Sequence, residues 1–368
     1  MHKLMAGVTI LEHELSELRL LVERQAGILL DCPNSALAAH VAEYLESHEL
    51  DSPATLLERL SAADQDPSVL PAFLDGVLNV KTGFFRHPGA MNALAKVVIP
   101  GLYTRKSEDG PCALRIWSAG CCTGEEAYSI AMALCDVLPN GSGNCNGNGA
   151  NASGNGSGVK EKTAACRNGS ISENSVPAPE GNGTKDWSVH IVGSDLLRSA
   201  IEVAERGLYP QSALAGLPPA SIRACFTKIG NIGAGQNGSK DGNWSDGNSN
   251  GAANGSAAAS NNGSNGSAHL LVKPRLRSLV TFNTMNLIKP VYIGRFDCIF
   301  CMDVLPHLSR AQRTALLERL HLYLEPGGYL FLSQTEKLCS SNLNFRSETF
   351  DGYTFHRKPL AASAAYGR

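Results

Sequence analysis

The chain has 368 residues, 43% of them hydrophobic and 18% charged, with a formal net charge of -2. That length suffices for two domains, and the near-neutral balance supplies no broad basic field for nucleic acid or an anionic membrane surface. No apolar run of about 18 residues occurs, and the start "MHKLMAGVTILEHELSELRL" is broken by acids, so it reads as neither a signal peptide nor a membrane span.

The first 75 residues predict helices without strands: Leu11–Leu30, Ser35–His48 and Ser52–Leu60. They form a separate small helical domain, 1–75, or a cap on a sheet built by the rest of the chain. From 76 to 360 the pattern changes. "LRIWSA" (Leu114–Ala119) is an apolar strand, and Glu125–Leu138 has helical spacing. "WSVHIVGSD" (Trp187–Asp195) is a second strand ending on an acid, and Leu196–Gly207 is an amphipathic helix closed by glycine. "LVTFN" (Leu279–Asn283) and "FDCIFCM" (Phe296–Met302) are buried strands. A helix over Arg310–Leu324 stops at "PGG", and "YLFLSQ" (Tyr329–Gln334) and "GYTFHRK" (Gly352–Lys358) are late strands. Alternating strands and helices predict an α/β fold, a doubly wound and mostly parallel sheet.

Two insertions interrupt this order, at 140–185 and 230–268. Both are rich in Asn, Gly and Ser, and neither has the apolar periodicity needed to offset its ordering entropy. Loop closure cost grows slowly with length, so a fold can carry them at surface turns. Of the 11 cysteines, Cys121 and Cys122 sit in a glycine turn, and Cys145 in low-complexity sequence. "CIFC" (Cys298–Cys301) falls in a strand that alternates faces, not in a loop knuckle. The expectation is free thiols in a reducing, cytoplasmic compartment, with no metal site.

The chemistry concentrates in "RIWSAGCCTGEEAYSIAMAL" (Arg115–Leu134), a strand, a turn containing Gly120 and Gly124, and two acids at a helix start. Ligands of a doubly wound sheet bind beyond the carboxyl ends of its strands. The glycine turn admits a ligand close to the backbone, and Asp195, ending the second strand, can accept hydrogen bonds from a ribose diol. The loop lacks GxxxxGK[ST], and Glu125 and Glu126 would repel phosphate. S-adenosylmethionine fits instead, having ribose hydroxyls, an ammonium, a sulfonium and no phosphate. A plain glycine turn with solvated glutamates has the same local pattern; Asp195 favours the ligand.

The same stretch resembles the first cofactor motif of the CheR-type chemotaxis receptor (protein-glutamate) O-methyltransferase family. "VKTGFFRHPGAM" (Val80–Met91) is similar to the family's Asn-x-Thr-x-Phe-Phe-Arg segment, and "GSDLLRSAIEVAERGLYP" (Gly193–Pro210) to its second motif. "LVTFNTMNL", "FDCIFCMDVL" and "LEPGGYLFLSQTEKL" follow in order, and "AGILLD" (Ala26–Asp31) is similar to its helical N-terminus. The resemblance implies a Rossmann-like S-adenosylmethionine-dependent methyltransferase with a small N-terminal helical domain and a small β-subdomain. That subdomain would have "ACFTKIG" (Ala224–Gly230) and "HLLVKPRLRSL" (His269–Leu279) as hairpin arms, with a basic strip at Lys273, Arg275 and Arg277.

The resemblance also implies methyl transfer to glutamate carboxylates of a chemoreceptor cytoplasmic domain, with no nucleic acid partner and no membrane insertion. By position, Thr82 and Arg86 fall near the reacting end. Glu125 or Glu126 falls on the ammonium, Gly120 in the loop, Asp195 on the ribose, Asn286 and Leu287 around the adenine, and Asp303 and Val304 beyond the fourth strand. Arg86 would hold or steer the acceptor carboxylate. Three departures matter, the first being Val80 in the asparagine position of the Asn-x-Thr segment, with Asn79 adjacent. Asp303 stands where the family has asparagine, and a carboxylate there would repel a glutamate acceptor. His307 stands where it has tyrosine, as a general base for a hydroxyl or amine acceptor or as a histidine with no role. A methyltransferase with such an acceptor, or a non-catalytic cofactor-binding adaptor, is the alternative.

Overall fold

The computed structural model describes residues 10–62, 66, 68–78, 82–109, 112–138, 187–229, 269–289, 293–338 and 343–360. Val80, Cys145 and both low-complexity insertions lie outside them. Four helices come first: α1 (Glu12–Ala26), α2 (Asn34–Ser47), α3 (Pro53–Ser61) and α4 (Val69–Val77), one more than the sequence pattern predicts. Gly27 ends α1 in the left-handed conformation, its N–H donating to Glu23 O at 2.9 Å. The Ser52 hydroxyl caps α3 by accepting from Thr55 N.

A helical run that the sequence pattern leaves unassigned comes next. It comprises α5 (Pro88–Ala93), a π turn over Leu94–Val98, and α6 (Ile99–Asp109). Then come β1 (Ala113–Ala119), α7 (Glu125–Val137), β2 (Ser188–Asp195) and α8 (Arg198–Arg206). A small unit of β3 (Leu208–Pro210), α9 (Pro219–Cys225), β4 (Phe226–Ile229), β5 (His269–Val272) and α10 (Pro274–Arg277) is inserted next. The chain closes with β6 (Val280–Thr284), β7 (Phe296–Phe300), α11 (Arg310–Tyr323), β8 (Leu324–Phe331), β9 (Arg346–Phe350) and β10 (Tyr353–Arg357).

The main sheet runs β6-β2-β1-β7-β8-β10-β9. Its first five strands are parallel, and β10 is antiparallel to both neighbours. Every residue of β7 is buried, as a strand covered on both faces requires. Alternate residues of β1 face opposite ways. Ile116 enters a core with α5–α7, whereas Trp117 enters one with α1–α4 and α11. The N-terminal helices therefore share a core with one face of the sheet. β1 lies between β2 and β7, so the strand order reverses there and a crevice opens beyond their carboxyl ends.

In the small sheet β5 lies between β3 and β4 and is antiparallel to both, so the two expected hairpin arms pair. The second arm ends at Val272, because Pro274 starts a helical turn. Lys273 and Arg275 donate to the carbonyls of Arg223 and Ala224, each at 2.7 Å. These two members of the basic strip thereby satisfy the C-terminal end of α9. Strand β8 begins at Leu324 and ends at Phe331, earlier at both ends than expected. Leu324 pairs with Phe296 across a bulge, which brings the "EPGG" stretch into the ladder.

At the amino ends of the strands, Asp297 is 2% exposed, and Lys106 Nζ lies 2.8 Å from its carboxylate. Arg115 N donates to the same carboxylate at 3.0 Å. Removing one member of a buried pair strands the other charge. Asp297→Ala should cost about 3 kcal/mol, read as a lowered urea midpoint. Ligand affinity at the far end of the sheet should be unchanged.

Candidate functional site

A cavity of about 330 Å³ lies beyond the carboxyl ends of β1, β2, β6 and β7. Gly120 and Cys121 donate their N–H groups to Ser194 O at 2.8 and 2.9 Å, turning the chain back over β2. Gly120 has φ +84, and a Cβ there would meet Val304 Cγ2 at 2.5 Å. Gly124 has φ +93 and faces Ala204 at 2.7 Å in the same test. Both positions therefore require glycine.

Asp195 fixes this turn. One carboxylate oxygen accepts from Cys122 N and the other from Leu197 N, each at 2.9 Å. Burial pushes its carboxyl above the ordinary range, and these backbone donors act against the rise. Asp195 is also part of the cavity wall.

The two adjacent glutamates divide. Glu126 lines the cavity and accepts from the Ser118 hydroxyl at 2.6 Å. Burial, reinforced by repulsion from Asp303 and Glu336, pushes its carboxyl up to about 7. Glu125 is buried off the cavity wall, bonded to Thr123 Oγ1 at 2.6 Å and to the Thr82 side chain. Ser129 donates to Glu125 O at 2.6 Å and accepts from Phe85 N at 2.9 Å. The Thr82–Arg86 segment is thus latched to the first turn of α7.

The wall opposite is ionic. Asp303 Oδ2 lies 3.3 Å from Arg86 Nη2 and 3.0 Å from His87 Nε2. The carboxylate expected to repel a glutamate acceptor is therefore paired with the Arg86 guanidinium and bonded to the His87 ring. Asp303 has φ +59 and Phe85 φ +51, conformations that side chains resist. Glu336 holds the Asp303 loop: its carboxylate accepts from Asp303 N at 3.1 Å, Leu305 N at 2.9 Å and Ser333 N at 2.8 Å.

The remaining wall comes from β6 and the N-terminal helices. Asn286 donates to Gln25 O and accepts from Ile288 N, both at 3.0 Å, while Leu287 O accepts from Arg319 at 2.6 Å. Ala26 and Ile28 line the cavity, and Leu29 N donates to His307 O at 2.8 Å. His307 is exposed at the rim, and its ring makes no hydrogen bond or ion pair among the described residues.

Thr82, Arg86, Gly120, Glu126, Asp195, Asn286, Leu287, Asp303, Val304 and His307 are thus brought to one cavity; Glu125 is not among them. Sequence reasoning missed His87, Ser129 and Glu336. The donor set suits S-adenosylmethionine: carboxylates for an ammonium and for hydroxyls, a glycine cradle for close approach, and an apolar floor. Among the described residues, no helix is long and apolar enough to cross a membrane.

Residues 80–146 and 256–353 match the family model described as CheR methyltransferase, SAM binding domain. The chain is 26% identical over 323 residues to chemotaxis protein methyltransferase 1 of Pseudomonas aeruginosa, covering 87% of this chain and 88% of that protein. It is 24% identical over 328 residues to chemotaxis protein methyltransferase Cher2 of Pseudomonas putida, covering 88% and 90%. Over 338 residues it is 24% identical to chemotaxis protein methyltransferase 1 of Vibrio cholerae, covering 91% and 92%.

The Glu126 carboxyl sits above its unfolded value, so the folded protein holds that proton more tightly. This stability is full below about pH 4.5 and is lost as pH rises through about 7. Glu126→Gln should therefore raise the thermal midpoint of the ligand-free protein at pH 8 and leave it nearly unchanged at pH 4.5. A midpoint raised equally at both pH values would show that burial of the charge is not the cause.

Proposed function

We propose that the chain is a CheR-type methyltransferase that methylates glutamate side chains on the cytoplasmic domain of chemoreceptors. The reaction forms methyl esters and serves chemotactic signalling from the cytoplasm. The observation that carries this reading is the pair of opposed charges on the cavity wall. Glu126 offers a carboxylate for the cofactor's ammonium, and Arg86, 39% exposed, offers a permanent cation for an acceptor carboxylate.

Bound in this cavity, S-adenosylmethionine supplies a methyl group on a sulfonium, which an ionised carboxylate can take without losing a proton. The chain's own work is then placement. Asp195 directs its free acceptor capacity at the ribose, and Asn286 and Leu287 line the place for the adenine. Gly120 lets the ligand lie against the backbone. Arg86, held through the Thr82–Glu125 and Phe85–Ser129 latches, aims the acceptor. Alignment of this kind is worth roughly 7–11 kcal/mol in favourable cases. His307 has no proton to remove from a carboxylate acceptor, and His307→Phe should leave receptor methylation within about threefold. A collapse of more than about 100-fold, the loss expected for a general base, would favour a hydroxyl or amine acceptor instead.

The deciding experiment incubates the purified chain with methyl-labelled S-adenosylmethionine and membranes carrying candidate chemoreceptors. Base-labile label on receptor protein is the expected result. Label in small molecules overturns the acceptor, and cofactor binding without transfer would make the chain an adaptor. Asp195→Ala should weaken cofactor binding by roughly 1.5–3 kcal/mol by calorimetry, with circular dichroism verifying the fold. Affinity should fall as pH is lowered through about 7, where Glu126 gains its proton and the ammonium loses a counter-ion. A pH-independent affinity would remove Glu126 from the ammonium site.

A further inference from the structure

Arg86 cannot serve an acceptor carboxylate without consequence for Asp303, which already sits 3.3 Å from its guanidinium. Two carboxylates would then share one cation. The surroundings of Asp303 offer little other relief, since Glu126 on α7 and Glu336 after β8 both add negative charge to this wall. The Asp303 backbone cannot carry the carboxylate away, because its N–H is tied to Glu336 and its φ is +59. Among the described residues, one further group bonds its carboxylate. His87 Nε2 lies 3.0 Å from the same Asp303 oxygen that faces Arg86, on the residue next to Arg86.

Building on the acceptor reading above, we infer that His87 is a specificity-determining positioning residue. It retains Asp303 while Arg86 turns to the acceptor carboxylate, which lets an anionic acceptor enter a cavity that otherwise carries one carboxylate too many. The contact geometry states the requirement. With Arg86 turned to the acceptor, the His87 ring at 3.0 Å is what still holds Asp303, whereas without it Asp303 and the acceptor compete for one guanidinium beside the reacting oxygen. His87 is 23% exposed and Asp303 37%, so solvent moderates the effect and a factor of about ten is expected. His87 touches neither cofactor nor acceptor in this scheme and acts through Asp303 alone.

The test is a double-mutant cycle on the full chain, with a soluble chemoreceptor cytoplasmic fragment as acceptor at saturating cofactor. His87→Ala should raise the KM for the fragment about tenfold and change kcat and cofactor affinity less than about twofold. In the Asp303→Asn background, His87→Ala should change KM less than about twofold, because the charge it manages is gone. His87→Arg, which keeps a hydrogen-bond donor, should recover most of the lost KM. The inference is overturned by an unchanged KM in His87→Ala, by an equal penalty in both backgrounds, or by a parallel loss of cofactor affinity that would make His87 merely structural. Failure of the wild-type chain to place any base-labile label on the fragment would be a different result, sinking the acceptor reading itself and this one with it.

Discussion

A parallel sheet ends its strands in loops, and at the point where strand order reverses those loops diverge and leave backbone N–H groups around an interior space. Here two buried carboxylates answer most of that demand. Asp195 takes the N–H groups of Cys122 and Leu197, and Glu336 takes those of Asp303, Leu305 and Ser333. The turn after β1 and the loop after β7 owe their shape to these two groups. So does the sign of the cavity, since fixing loops with carboxylates accumulates negative charge beside Glu126 and Asp303. A cationic ligand relieves that field, and the Arg86 guanidinium offsets it at Asp303.

Much of this was legible in the sequence because it is local. The glycine turn, the acid ending β2 and the alternation of strands with helices are short patterns with a physical reading. What stayed hidden depends on distance or on exposure. Glu336 lies in "SQTEKL", which has no pattern of its own. Its role is to satisfy donors some 30 residues upstream, and that is visible only in the fold. His87 comes directly after "FFR", but its meaning comes from Asp303, 216 positions away. Strand β9, "RSETF", reads as polar because it is an edge strand with little burial on either face. The helix through Ile99–Asp109 was obscured by Pro100 and Gly101, and it passes through both directly after a π turn.

The backbone records where function outweighs comfort. Of the five described non-glycine residues with positive φ, Phe85, Cys122 and Asp303 lie on the cavity wall. Conformations of this kind cost of order 1–3 kcal/mol each and persist where surrounding contacts over-determine them. The contacts are identifiable: Ser129 for Phe85, Asp195 for Cys122 and Glu336 for Asp303. Glu126 adds a carboxylate held where burial opposes its charge. These strained and partly desolvated groups form one patch, supported by an apolar framework.

The N-terminal helices share their core with one face of the sheet, and this sets an order of events during synthesis. Leu21 and Ala26 belong to the same core as Leu316 and Leu317 of α11, which emerge from the ribosome roughly 290 residues later. At elongation rates of about 5–20 residues per second, the side of the helical unit that meets the sheet waits roughly 15–60 s for its cover. Two long polar inserts are translated in the interval and lengthen it. Over that interval the nascent chain carries an apolar face still without its cover. The roof of the cavity closes only once His307, bonded to Leu29, has been made.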